Sequence, residues 1–174
     1  IFENEEIEVS CFQLKHAVPV IGYTFAVKDK KRIDKTKLKK LKIPSSPKIK
    51  ELLDGKDITV DRKKIKAEDM IYVEKGKKVC YVLDTAYIKE LETYVKDADL
   101  LIIESTFLDK DKNKAKENLH MTAKQAAQLA KKAKVETLAL VHMSQRYEQG
   151  IKQCKAEAKE YFEGVAKDRE AKTK

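Results

Sequence analysis

Three histidines and one aspartate in this chain each close a segment holding apolar residues, with small or polar residues one or two positions later. His16 closes Phe12-Gln13-Leu14-Lys15, His120 closes Glu117-Asn118-Leu119, and His142 closes Leu138-Ala139-Leu140-Val141. Asp84 follows Val79-Cys80-Tyr81-Val82-Leu83 and precedes Thr85. In α/β sheets, ligands gather where parallel strands end. Imidazoles and a carboxylate brought together there can hold a metal ion or move protons. A lone buried histidine is ordinarily structural, but three of three in such positions favour chemistry. Asp84 could equally cap a following helix, and Glu104 could be a cap or a surface charge. Arg146, two residues beyond Ser144, offers a guanidinium fork suited to a phosphate. Tyr147 reads as packing.

The elements that must carry these residues can be read from patterning. Ile7 to Leu14 and Tyr23 to Val27, the latter introduced by Gly22, predict two strands of a hairpin with His16 in the connection. Short helices are expected over Lys35 to Leu41 and Ile49 to Leu53, with Gly55 as a cap; Pro44 and Pro47 separate them. Up to Tyr72 the pattern stays short and broken, as in an insertion. Val79 to Leu83, Leu100 to Ile103 and Leu138 to Val141 are continuous apolar runs and predict buried strands. Between them, Tyr87 to Val95 has the spacing of one helix face, and Asp109 to Asn118 reads as a polar loop. Thr122 with Gln125 forms a capping box for a helix through Lys132. A last helix is expected from about Gln153 to Val165, with a frayed tail beyond. Strand–helix alternation of this kind means a layered α/β sheet with crossover helices.

Composition narrows the field. With 174 residues, 39% charged and 42% hydrophobic, the chain can form one domain with an ordinary core. No apolar run approaches the roughly 18 residues of a membrane span. Cys11, Cys80 and Cys154 are odd in number and widely spaced, which excludes a disulfide framework and a cysteine zinc knuckle and suits a reducing cytoplasm. The net charge of +9 is concentrated: Lys28 to Lys66 holds 14 Lys and 2 Arg against 6 acidic residues. A basic block on an otherwise balanced domain favours a polyanion such as nucleic acid over a merely solvated surface. The chain opens on Ile1 and not on Met, as expected of a fragment.

Five strings in order tie these features together: His16-Ala17-Val18-Pro19-Val20-Ile21-Gly22-Tyr23; Asp84-Thr85; Glu104-Ser105-Thr106-Phe107; His120-Met121-Thr122 with Gln125-Ala126-Ala127; and His142-Met143-Ser144-Gln145-Arg146-Tyr147. In order and spacing the chain resembles the ribonuclease Z family, the tRNA 3′-processing endonucleases of the metallo-β-lactamase superfamily. The resemblance implies two Zn2+ per complete active site, with His16 on one ion, His142 on the other and Asp84 bridging them. Such a pair, about 3.5–4 Å apart, activates water for in-line attack on a phosphodiester. It further implies His120 as general acid, with Glu104 accepting its other N–H, and Ser144 and Arg146 gripping a neighbouring phosphate.

The family's His-x-His-x-Asp-His run is absent, and it belongs to the amino-terminal half of the fold. The chain is therefore expected to be the carboxy-terminal half of a metallo-β-lactamase-like αββα sandwich, inactive until the missing amino-terminal half is restored. Residues 28–68 fall where such enzymes insert a basic arm that binds tRNA, which implicates Lys37, Lys39 and Lys40; the arm's Gly-Pro element is replaced here by Ser45-Ser46-Pro47. Precursor tRNA as substrate, a homodimer and a cytoplasmic location are implied as well. Two further readings remain: another hydrolase of this fold acting on a small phosphodiester or ester, or a non-catalytic nucleic-acid-binding remnant.

Overall fold

The computed structural model describes residues 1–43 and 47–167. Ser45 and Ser46, at the altered arm element, lie outside the described residues, as do Pro44 and positions 168–174 of the tail. The described chain divides into two compact units, one formed by 1–27 with 77–174 and the other by Lys28–Gly76.

In the first unit β1 (Phe2–Glu3), β2 (Ile7–Gln13) and β3 (Ile21–Val27) form an antiparallel run. The second unit contributes β4 (Lys30–Ile33), α1 (Lys35–Lys40), α2 (Lys48–Leu53), β5 (Ile58–Val60), β6 (Lys63–Ile65), α3 (Ala67–Met70) and β7 (Ile71–Glu74). The chain then returns to the first unit through β8 (Lys78–Val82), α4 (Leu91–Tyr94) and β9 (Leu100–Glu104). After a 3-10 turn at Asp109–Asp111 come α5 (Lys112–Glu117), α6 (Ala123–Lys132), β10 (Thr137–Val141) and α7 (Ile151–Lys159).

The strands of the first unit form one sheet in the order β1-β2-β3-β8-β9-β10. β3 pairs antiparallel with β8, whereas β8, β9 and β10 run parallel with Leu100 level with both Val79 and Thr137. That register brings Val82, Ile103 and Leu140 to one level, so the three carboxyl ends emerge together. Alternation sends Cys80, Val82, Leu101, Ile103, Leu138 and Leu140 to one face, where they are buried with Leu91, Leu129 and Ala158 of the helices. Each fully buried Leu or Ile there contributes roughly 1.5–3 kcal/mol. The opposite face carries Phe2, Ile7, Val9, Ile21, Tyr23, Phe25, Val27 and Tyr81; Phe2, Ile7, Ile21, Phe25, Val27 and Tyr81 are exposed. One β layer and one α layer are thus present, with an apolar sheet face bare. The fold is α/β, as expected.

Several elements differ in extent from the sequence reading. The helix expected over Tyr87 to Val95 is only α4, because Tyr87 and Ile88 pack on the core from an irregular segment before it. The loop expected from Asp109 to Asn118 is instead the 3-10 turn and α5, which buries Ala115. The last helix stops at Lys159; Val165 bridges Leu138 in β-fashion and extends the sheet edge. β8 is not buried throughout: Tyr81 faces out while Cys80 and Val82 face in.

Gly22 sits where the Phe12 ring lies flat against the strand, and any Cβ there would run into that ring. Phe12 in turn stacks on Tyr94, with ring centroids 4.4 Å apart. Gly22→Ala is expected to cost roughly 1–3 kcal/mol through overpacking, read as a lower melting temperature together with a change in the near-ultraviolet dichroism of the stacked pair.

The second unit has its own small core of Leu38, Ile43, Leu52, Ile58, Ile65, Ala67 and Met70. Residues 69–76 belong to it too, because β7 pairs with β4. Asp34 caps α1 by accepting from the Thr36 and Lys37 amides, and Lys37, Lys39 and Lys40 occupy its last turn, where cations suit the helix dipole. No helix among the described residues is long and apolar enough to cross a membrane.

Candidate metal centre

Each candidate residue stands just past the end of a parallel strand or in a loop pinned to one. Asp84 follows β8, Glu104 ends β9, and His142 follows β10. Asp84 and His142 both hold left-handed backbone, with φ of 51° and 55°, as does Leu119, the neighbour of His120, at 56°. Non-glycine residues in that region carry strain of about 1–3 kcal/mol, and such strain gathers at functional sites. His120 is fixed by what flanks it. The Phe107 amide donates to Met121 O at 3.2 Å, and the Ala123 amide donates to Phe107 O at 2.9 Å. Thr122 and Gln125 then complete the expected capping box at the start of α6. His16 lies in the β2–β3 connection, tied to the Asp84 loop by the Lys15 amide donating to Thr85 Oγ1 at 3.1 Å.

These loops bring the side chains together. Asp84, His120 and His142 offer ligand-type atoms that all lie within 4.8 Å of one another. The ring of His120 is 4.9 Å from that of His16 and 5.4 Å from that of His142. His16 itself stands outside the group of three; its Nδ1 lies 3.2 Å from Leu119 O, so Nδ1 is the donor and Nε2 keeps the lone pair. Asp84 Oδ1 is shielded from solvent yet has no hydrogen-bond donor. His142 Nδ1 is 3.2 Å away, outside hydrogen-bond geometry. A buried carboxylate oxygen without a donor costs free energy, and a cation between it and the imidazoles would supply the missing partner. The donor set, one carboxylate with neutral imidazoles, suits a divalent metal.

Glu104 is fully buried and its carboxylate is crowded with donors. Its oxygens accept from the Thr85 amide, from the Met121 amide at 3.1 Å, from Thr106 Oγ1 at 2.7 Å and from His120 Nδ1 at 3.0 Å. The expected Glu104–His120 pair is therefore present. Ser144 and Arg146 also meet, with Arg146 Nε donating to Ser144 Oγ at 3.2 Å and the guanidinium 4.9 Å above the Phe107 ring. Tyr147 anchors this loop: its hydroxyl accepts from the Leu108 amide at 3.0 Å and donates to Asp111 at 2.8 Å. Burial pushes the Tyr147 phenol up to about 12, so it stays neutral as a structural group. Burial likewise raises both inner thiols, that of Cys154 to about 11, which makes neither a thiolate nucleophile. In the second unit, Lys39 and Lys40 are exposed, while Lys37 Nζ donates to Asp69 O at 2.8 Å.

Two residues escaped the sequence reading. Thr85 and Thr106 are buried hydroxyl residues that hold the loops of the centre together. Both stand in the strings quoted above, Thr85 directly after Asp84 and Thr106 two residues after Glu104, but without a role of their own.

Comparison with known proteins identifies the family of the fold. A family model described as the beta-lactamase superfamily domain matches residues 46–143. The chain is 42% identical over 149 residues to ribonuclease Z of Borrelia recurrentis, covering 84% of this chain and 47% of that protein. It is 40% identical over 172 residues to ribonuclease Z of Nitrosopumilus maritimus, covering 97% of this chain and 57% of that one. Among solved structures, human tRNase Z, short form, superposes with a TM-score of 0.53 at 25% identity, covering 85% of this chain and 40% of that one. The metallo-beta-lactamase fold protein YhfI from Bacillus subtilis gives 0.58 at 19% identity, over 95% and 49%, a likeness of fold alone. The chain spans about half the length of the curated relatives it matches. Fold, strand-end residues and relatives agree: this chain belongs to the beta-lactamase superfamily.

Proposed function

We propose that this chain is the carboxy-terminal half of a zinc-dependent endoribonuclease that removes the 3′ trailer from precursor tRNA. The observation that carries the reading is the convergence of Asp84, His142 and the Glu104-bound His120 at one edge of the parallel strands. The ribonuclease Z relatives supply the substrate class. The bare apolar face of the sheet supports a second, amino-terminal half packing upon it. That half brings the remaining metal ligands; this chain alone is expected to be inactive.

In this reading His16, Asp84 and His142 would hold the zinc ions. Bound there, the ions supply Lewis-acid activation of water and screening of phosphate charge. Glu104 takes the Nδ1 proton of His120 into a hydrogen bond, which leaves Nε2 to carry a proton to the departing 3′ oxygen of the tRNA. Arg146, braced by Ser144 and Phe107, holds an adjacent phosphate. The basic unit binds the RNA backbone through Lys37, Lys39 and Lys40. A cytoplasmic homodimer belongs to the same reading and rests on the likeness alone.

The test is a cleavage assay with the whole protein and a precursor tRNA bearing a 3′ trailer. Expected is a tRNA ending in a 3′-hydroxyl at the trailer junction, abolished by a chelator and restored by zinc. Hydrolysis of a small phosphodiester with the precursor untouched would overturn it. Reversing charge at Lys39 and Lys40 is expected to weaken tRNA binding and lower the slope of log affinity against log salt by about one for each phosphate no longer neutralised. Unchanged affinity and slope would remove this unit from RNA recognition.

A further inference from the structure

We infer that the Thr106 hydroxyl is a positioning relay between the buried Glu104 carboxylate and His142, which fixes the tautomer that His142 presents to a metal. The inference rests on the reading of His142 as a metal ligand. Thr106 Oγ1 lies 2.7 Å from Glu104 Oε2 and 2.9 Å from His142 Nδ1. Thr106 Oγ1 donates its single hydroxyl proton to Glu104 Oε2. Only lone pairs remain on Oγ1 for His142, and Nδ1 must then be the donor. His120 Nδ1, 3.4 Å from the same hydroxyl, is already committed to Glu104 at 3.0 Å. Asp84 Oδ1 is near His142 Nδ1 but outside hydrogen-bond geometry. The proton therefore stays on Nδ1 and the Nε2 lone pair is left for the metal.

One carboxylate thus orients two imidazoles, His120 directly and His142 through a hydroxyl. The His142 side chain is half-exposed, so this hydrogen bond is its main anchor. Groups that orient a ligating histidine in this way typically affect metal affinity 10–100-fold.

The experiment uses the whole protein. In the chelator-treated state, the ring nitrogens of His142 are read by 15N NMR; zinc affinity is then measured by competition with a chelator of known strength. Thr106→Val, which keeps shape and loses the hydroxyl, is expected to convert a single Nδ1–H tautomer into a mixture and to lower zinc affinity about 10–100-fold. Thr106→Ser is expected to restore both. A Val variant that keeps the Nδ1–H tautomer and binds zinc within about twofold of the parent would overturn the relay. So would a Ser variant that behaves like Val while remaining as stable as the parent. If Val does not fold, Thr106→Ala is read by the same two measurements. Should the tautomer and affinity change as expected while the parent protein leaves precursor tRNA uncut, the relay stands and the functional reading falls.

Discussion

His120→Ala, made in the whole protein, is expected to lower cleavage of precursor tRNA by about 100- to 10,000-fold, the range set by removal of a positioned general acid. Zinc content is expected to stay near that of the parent. The basis is the pairing of His120 Nδ1 with a fully buried carboxylate at 3.0 Å, which holds the ring with Nε2 turned away from Glu104. The same ring places a ligand-type atom within 4.8 Å of those of Asp84 and His142, so ligation and proton donation compete as roles. Metal analysis of the purified variant decides between them. Equal loss of zinc and activity would make His120 a ligand and leave the departing oxygen without its acid. Glu104→Gln is the companion: it can keep one acceptor for His120 but turns an amide NH2 toward donors from which the carboxylate accepts, so the ring is held less firmly.

The second large effect is at Asp84. Its removal is expected to lower zinc affinity by more than the roughly 10–100-fold that follows loss of an outer partner, with cleavage falling in step. Asp84→Ala also meets backbone strain, since φ is 51° there and alanine is poorly suited to the left-handed region. Asp84→Asn is the cleaner variant, because asparagine tolerates that conformation while losing the charge. Full metal stoichiometry in the Asn variant, read by elemental analysis, would refute the bridging role. Ala removes the donorless Oδ1, and Asn removes its charge. The metal-free Asn form is therefore expected to melt no lower than the metal-free parent, a sign that the carboxylate is kept for binding and not for folding.

The parallel half of the sheet was legible because β8, β9 and β10 are short apolar runs bounded by turn signals, and because Thr122 and Gln125 spell a capping box that the structure contains. The strand-end positions of Asp84, Glu104 and His142 followed from the same runs. What escaped were features set by tertiary packing. Tyr87 and Ile88 have helix spacing but pack on the core from an irregular segment. Polar residues at Asp109 to Asn118 hid a helix whose single buried residue, Ala115, gives almost no periodic signal. The lysine-rich segment concealed its own core, since Leu38, Leu52, Ile58 and Met70 are spaced too irregularly to suggest one. Thr106 reads in sequence as one more loop threonine; only distances to two other side chains, one of them far away in the chain, reveal it.

The centre draws on positions 16, 84, 104, 106, 120 and 142, and the last of these in chain order follows β10. A growing polypeptide on the ribosome cannot assemble the pocket until β10 has left the exit tunnel and docked beside β9. Capture of a cation there is thereby coupled to the docking of β10, and a chain released before residue 142 would lack both His142 and the strand beside β9.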